Sequence, residues 1–258
     1  MLYCLISPAK RLNEGAIRTT ISSPMFLESS LELATVLKTY SVKGIQELMG
    51  VSENLAQLNY ERYQDFSQQG HTSSKAMPAI FAFHGDVYRN MKAEDWDKEV
   101  LHKAQISLGI LSGMYGLLRP LDAILPYRLE MGTALKTSRG SNLYEFWQES
   151  ITEAINQHMR ENQLSYLVNL ASEEYAKSVK LRKIEQRVLT VVFKDWVKGR
   201  LKTVGVNAKR ARGSMANLMM CGDIQKIDDI KQLNPLGYQY QEDNSNDAVW
   251  VFIRERVS

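Results

Sequence analysis

The sequence predicts a mixed fold, α+β or α/β, in one domain over residues 1–258. Three observations predict it. Short apolar runs of strand length alternate with stretches of helical periodicity along the whole chain. The 258 residues, 44% of them apolar and 24% charged, have the proportions of a folded globular chain with length for a substantial core. No repeat, low-complexity tract or clear linker divides it, although at about 150 residues per domain its length allows one or two domains.

In chain order, Leu2 to Ile6 reads as a short buried strand ended by Ser7-Pro8. Pro24 to Tyr40 reads as a helix, with Phe26, Leu27, Leu31, Ala34 and Leu37 near helical spacing, and two short helices follow between Ser41 and Phe66. Gln68 to Met77 is polar and reads as a loop, Ala79 to Phe83 as a strand, and Val87 to Ala104 as a helix. Ile106 to Leu111 is a further strand, followed by a loop from Ser112 to Pro126 rich in Gly and Pro. Asn142 to Asn162 reads as one long amphipathic helix and Tyr166 to Leu170 as a strand. Val188 to Val206 predicts a hairpin turning at Lys198-Gly199, and Asn207 to Cys221 a helix with Asn207 as N-cap. The chain closes on two strands, Gly237 to Val257, around the turn Asp243 to Asn246.

Composition excludes several classes. No apolar run approaches the 18 or more residues of a membrane span. Met1 to Ile6 is too short for the apolar region of a signal peptide and lacks a preceding cation, so a cytoplasmic location with no membrane partner is expected. Cys4 and Cys221 form no C-x-x-C pair and suggest no oxidising compartment. His71, His84, His102 and His158 are scattered without zinc spacing, and no phosphate-binding or dinucleotide glycine motif occurs, so neither metal nor cofactor is expected.

Charge is unevenly placed. Between Lys177 and Arg212 lie twelve basic residues, opposed only by Glu185 and Asp195, while the rest of the chain is net negative. Such a stretch projects a positive field that attracts anionic partners, although a solvated basic face has the same composition.

Three segments can carry chemistry. Ile45 to Leu58 resembles a helix-hairpin-helix motif: Leu48, Gly50, Val51 and Ala56 fit, with Met49 in the place of a common proline and Ser52 in that of the second glycine. Such a hairpin presents backbone N–H groups that hold a phosphate, while an ordinary packed hairpin with Ser52 as N-cap is the alternative. In Asn207 to Ser214, the cations Lys209, Arg210 and Arg212 fall near a predicted helix start, against the helix dipole, as a phosphate site would favour. The loop Leu111 to Gly132 concentrates Arg119, Asp122, Arg128 and Glu130, which serve either a ligand or one another as ion pairs. Polar residues also end three apolar runs, in Ser7 to Lys10, His84 to Tyr88 and Asn169 to Tyr175. If these ends converge, Lys10, Asp86, Arg128 and Lys177 form one polar pocket.

Assembled in order, Leu5 to Lys10, Gly85 to Tyr88, Leu111 to Gly113, Tyr115-Gly116, Leu118 to Asp122, Pro126 to Gly132, Leu143-Tyr144, Phe146-Trp147, Asn169 to Ser172 and Ala208 to Gly213 resemble the YaaA family of peroxide-stress proteins over nearly the whole length. The resemblance implies a single-domain mixed α/β fold with a positively charged cleft and a helix-hairpin-helix element at about 41–66. It also implies a cytosolic role in surviving hydrogen peroxide, through DNA binding and protection of DNA and protein, with an indirect effect on free iron. His84 stands where the family often has lysine. The expected phosphate-binding set is Lys10, Gly50, Ser52, Arg119, Arg128, Lys177, Lys180, Lys209, Arg210 and Arg212, the partner being DNA bound with weak sequence specificity. The alternative is an enzyme acting on a nucleotide or another small phosphorylated compound, with Asp86 or Glu130 as acid/base candidates.

Overall fold

The computed structural model describes residues 1–13, 15 and 21–254. It is a mixed α/β structure around one eight-stranded sheet. The strands are β1 (Leu2–Ile6), β2 (Leu108–Ser112), β3 (Gly116–Leu118), β4 (Tyr166–Asn169), β5 (Arg187–Val197), β6 (Arg200–Lys202), β7 (Tyr238–Gln241) and β8 (Val249–Arg254). Across the sheet the order is β7-β8-β5-β4-β1-β2-β3, with β6 hairpinned onto β5. Five adjacent strands (β8, β5, β4, β1 and β2) run parallel, and the antiparallel pairings are confined to β7, β3 and β6.

This arrangement follows from patterning. Both β1 and β2 are buried at every position, which is why Leu2 to Ile6 reads as an unbroken apolar run and not an alternating one. Strand β5 alternates buried and partly exposed residues over most of its length, so one face meets the core. From β1 the chain moves on to its neighbour β2 on one side, whereas from β4 it moves to β5 on the other. The carboxyl ends of β1 and β4 therefore flank a point where strand order reverses, the position at which open α/β sheets leave a crevice.

The main helices are α1 (Leu27–Lys38), α2 (Val42–Met49), α3 (Glu53–Asp65), α4 (Asp86–Met91), α5 (Lys98–Ser107), α6 (Ser150–Glu161) and α7 (Gly205–Cys221). Helices α2 and α3 pack against each other through a turn in which Gly50 adopts the left-handed conformation at φ 59°, and Ser41 caps α2 by accepting from the Gly44 N–H. Helix α7 packs on α4. Gly213 permits this contact, because a Cβ there would lie 1.9 Å from the Val87 carbonyl oxygen.

Several elements differ from the sequence expectation. Ala79–Ala82 is a helical turn and only Phe83–His84 is strand: the N–H groups of Ala79 and Ile80 donate to the carbonyls of Asp122 and Pro120, a tertiary pairing that overrides local preference. The helix expected over Val87 to Ala104 is interrupted after Met91 by Lys92 at φ 52°. Likewise, Asn142 to Asn162 divides into Leu143–Trp147 and α6 around Gln148 at φ 43°. The expected loops hold short elements, a helical turn at Gln68–His71 and strands at Met77–Pro78 and Ala123–Ile124. Asn207 is not the N-cap of α7; Val204 is, so Asn207 sits inside the helix and donates to the buried Asp195. The hairpin at Lys198-Gly199 and the two closing strands are present, with 255–258 outside the described residues.

The long loop after β2 is held by a buried polar network. The Ser112 hydroxyl accepts from the N–H groups of Met114 and Tyr115 and lies 2.6 Å from Tyr127 Oη. Tyr115 Oη accepts from the Leu125 N–H and meets His71 Nε2 at 2.9 Å. Burial pushes the pKa of His71 down, so its ring is neutral near pH 7, its Nδ1 donating to the Ser67 carbonyl and its Nε2 accepting from Tyr115. Among the described residues no helix is long and apolar enough to cross a membrane.

Candidate functional site

A cavity of about 350 Å³ opens at the carboxyl ends of β1 and β4. It is built from the three strand-end peptides singled out in the sequence, together with one turn of α7. Ser7 follows β1 and Ser172 follows β4; the Ser7 hydroxyl accepts from the Ser172 N–H at 2.8 Å and donates to the Ser172 hydroxyl at 3.2 Å. Tyr88, on α4, donates from its hydroxyl to the Ser7 carbonyl at 3.1 Å, which ties α4 to the end of β1. Tyr88 and Tyr175 are both buried, and with Val87 and Leu170 they give the cavity an apolar wall. Burial raises the pKa of both phenols, so they remain neutral donors.

Five basic side chains (Lys10, Arg11, Arg89, Lys209 and Arg212) and two carboxylates (Asp86 and Glu174) line this cavity. Asp86 faces Arg89 at 2.8 Å and Arg210 at 3.5 Å. Partial burial works to raise its pKa, but the hydrogen bonds and charges of the two arginines outweigh that and hold the carboxyl below its ordinary range. Asp86 is therefore a persistent anion, poorly suited to donate a proton at neutral pH. Glu174 accepts from the Gly132 N–H at 3.0 Å.

Arg212 differs from the other cations. It is largely buried, its Nε has no acceptor, and among the described residues no carboxylate pairs with it. Desolvation lowers its pKa, as expected of a guanidinium withdrawn from water without an anion beside it. A buried donor left unpaired costs free energy, and this Nε is closed to solvent as the chain is folded.

Lys10 and Glu174 also line a second cavity, of about 360 Å³, next to the first. Its wall is the turn between α2 and α3 (Leu48, Met49 and Gly50) together with Arg128 and Glu130. Glu130 pairs with Lys10 at 2.6 Å and with Arg128 at 2.9 Å, and Arg128 Nε is a second buried donor without an acceptor. On the other side, Asp86 and Arg89 are shared with an open depression that also presents Arg210 and Arg254. The three compartments thus form one groove through shared walls.

Of the residues expected at the site, Lys10, Gly50, Asp86, Arg128, Glu130, Lys209, Arg210 and Arg212 lie along this groove. Ser52 occupies the N-cap position of α3 without a side-chain capping bond and is absent from the lining. Arg119 lies elsewhere, its guanidinium and backbone N–H on the fully buried Asp122 and a further bond to the Ser23 carbonyl. Lys177 and Lys180 are exposed outside the lining, Lys177 pairing with Glu173 at 3.5 Å. Of the pocket expected from Lys10, Asp86, Arg128 and Lys177, Lys10 and Asp86 share the first cavity, Arg128 lies in the second beside Lys10, and Lys177 lies in neither. Because α7 begins at Gly205, Lys209, Arg210 and Arg212 stand beyond its first turn, and the helix-terminus argument for them gives way to their position on the groove. Arg11 and Arg89 were not foreseen, their only sequence signal being adjacency to the strand-end peptides; Tyr88, Ser172 and Tyr175 lie within those peptides but were not among the expected binding residues.

No cluster of three or more His, Cys, Asp or Glu side chains among the described residues is arranged to hold a metal ion. Comparison with known proteins gives the family. The family described as peroxide stress protein YaaA matches residues 1–244. A UPF0246 protein of Legionella pneumophila (strain Corby) is 42% identical over 256 residues, covering 98% of this chain and 99% of its own. One of Shewanella sp. (strain W3-18-1) is 44% identical with the same coverage, and one of Psychrobacter sp. (strain PRwf-1) is 41% identical over the full length of both chains. With its strand-end peptides gathered around one basic groove and this match along nearly all its length, the chain belongs to the YaaA family of peroxide stress proteins.

Proposed function

We propose that the protein binds DNA in the cytoplasm during hydrogen peroxide stress, holding the phosphate backbone in the groove and shielding DNA, and protein with it, from oxidative damage. The observation that carries this reading is the row of cations, Lys10, Arg128, Lys209 and Arg210, that lines adjoining compartments of one basic groove. The α2–α3 turn supports it, because Gly50, in the stretch whose sequence resembles a helix-hairpin-helix, lines the same groove. Contacts of this kind reach phosphate and not base edges, so binding is weakly sequence-specific. Any effect on free iron is indirect.

The test is equilibrium binding of duplex, bulged and single-stranded DNA by charge variants. Arg128→Ala and Lys209→Ala are each expected to weaken binding about 10-fold, the scale of one lost charge-assisted contact, and to do so equally across unrelated sequences. Lys177→Ala and Lys180→Ala, which lie off the groove, are expected to change affinity about twofold or less. The reverse ranking would move the interface elsewhere. A second reading is favoured by one feature, the tyrosine-walled cavity of about 350 Å³: an enzyme or receptor for a nucleotide or similar phosphorylated compound. Displacement of DNA by low concentrations of a mononucleotide would support it.

A further inference from the structure

We propose that the cavity at the ends of β1 and β4 receives the terminal phosphomonoester of a broken DNA strand. The inference rests on the DNA-binding reading above and names the part of the nucleic acid that this cavity takes. Accessibility carries the argument first. Arg212 is largely buried, and Lys10, Arg11 and Lys209, which share its cavity, are exposed. A phosphodiester within a continuous strand is tethered on two sides, and it meets a protein at the surface. To reach Arg212 it would have to carry both flanking nucleotides into a space of about 350 Å³, at the small end of ligand sites, which span ~300–1,000 Å³. A phosphomonoester has one tether and enters end-on, its strand trailing out along the groove.

Charge and hydrogen bonding agree. A monoester carries nearly two negative charges at pH 7, against one for a diester, and offers three acceptor oxygens to a forked guanidinium. Arg212 lines this cavity, and among the described residues no carboxylate pairs with it, although its Nε is itself closed to solvent. The Ser172 hydroxyl accepts from Ser7, which leaves its own proton for an acceptor in the cavity. The carboxylates that would repel a dianion are already engaged, Asp86 by Arg89 and Arg210, and Glu174 by the Gly132 N–H. Tyr88, Tyr175, Val87 and Leu170 supply an apolar wall for the terminal sugar or base. Such ends are a product of the stress itself, because radical oxidation of deoxyribose cleaves the strand and leaves phosphate on the termini.

The experiment measures equilibrium binding, at fixed salt, of matched gapped duplexes whose internal ends carry 3′-phosphate, 5′-phosphate or hydroxyl only. Intact duplex serves as reference, and inorganic phosphate and a mononucleotide as competitors. A phosphate-bearing end is expected to bind about 10-fold tighter or more than the hydroxyl end. The 3′- and 5′-phosphate arms show which terminus is seated. In Arg212→Gln, and in Arg212→Lys as the milder change, the affinity ratio between the two ends is expected to fall to about one, with thermal unfolding as the check on folding. The ratio is also expected to decline as pH falls through about 6, where the monoester takes up its second proton. Equal binding of phosphate and hydroxyl ends with intact affinity for DNA overturns this inference alone. Loss of all DNA binding overturns the reading beneath it. Strong competition by free phosphate or mononucleotide without any preference among strand ends also overturns it, assigning the cavity to a free phosphorylated compound.

Discussion

Gly213→Ala is expected to destabilise the protein by about 3 kcal/mol or more, read as a lowered midpoint of urea unfolding. A Cβ at this position would stand 1.9 Å from the Val87 carbonyl oxygen, 2.8 Å from its carbonyl carbon and 3.0 Å from its Cα. All three are backbone atoms of α4, which no rotamer change relieves, so helix α7 must lift away from α4. That same contact sets Arg212 beside Tyr88 and Asp86, and phosphate binding should fall with stability. Gly205→Ala, in the same helix with nothing within 4 Å of its would-be Cβ, is the control, expected to be neutral or stabilising by up to about 1 kcal/mol. If the two alanines behave alike, the close approach of α7 and α4 is wrong.

Asp122→Ala is the second large effect, expected at about 3–5 kcal/mol of destabilisation. The carboxylate is fully buried and accepts from four donors: the Arg119 backbone N–H, two nitrogens of its guanidinium, and the Ser22 hydroxyl. Its removal strands these groups and loosens Ser22, whose backbone pairs with Leu121 and Ala123. The Arg119 side chain is 31% exposed, so solvent recovers part of its charge and the effect should sit toward the lower end. Asp122→Asn keeps the shape and should cost less. DNA affinity of the folded fraction should be unchanged in either variant, since Arg119 and Asp122 stand off the groove; a selective loss of binding would return Arg119 to the interface.

How far the sequence disclosed this molecule depends on the kind of information each residue carries. The buried strands were legible because Leu2 to Ile6 and Ile106 to Leu111 are apolar runs, and the site was legible because polar residues follow such runs at Ser7, His84 and Asn169. Ser7 and Asn169 converge because β1 and β4 are parallel neighbours in one sheet, whereas His84 is brought in by a separate antiparallel pairing with Arg11. Arg119 and Arg128 were indistinguishable in sequence: each has a carboxylate within three residues in the same loop. Only the tertiary path buries Asp122 and turns Glu130 toward Lys10. Helix breaks at Lys92 and Gln148 were illegible because left-handed residues that are neither Gly nor Asn carry no local signal. The start of α7 was misplaced because Asn207 advertises a cap and Val204, the actual one, does not. Among the cations of Lys177 to Arg212, composition gave the field but not its direction, and only those facing the strand ends meet the groove.

The central claim, that the groove at the strand ends holds DNA through its phosphates, is tested most directly by the salt dependence of duplex binding. The logarithm of the association constant should fall linearly with the logarithm of salt concentration, by roughly 0.9 for each phosphate contacted. Lys209→Ala should reduce that slope by about one while leaving preference among sequences unaltered. Binding that is flat across the salt series, or a slope that Lys209→Ala leaves intact, would contradict it.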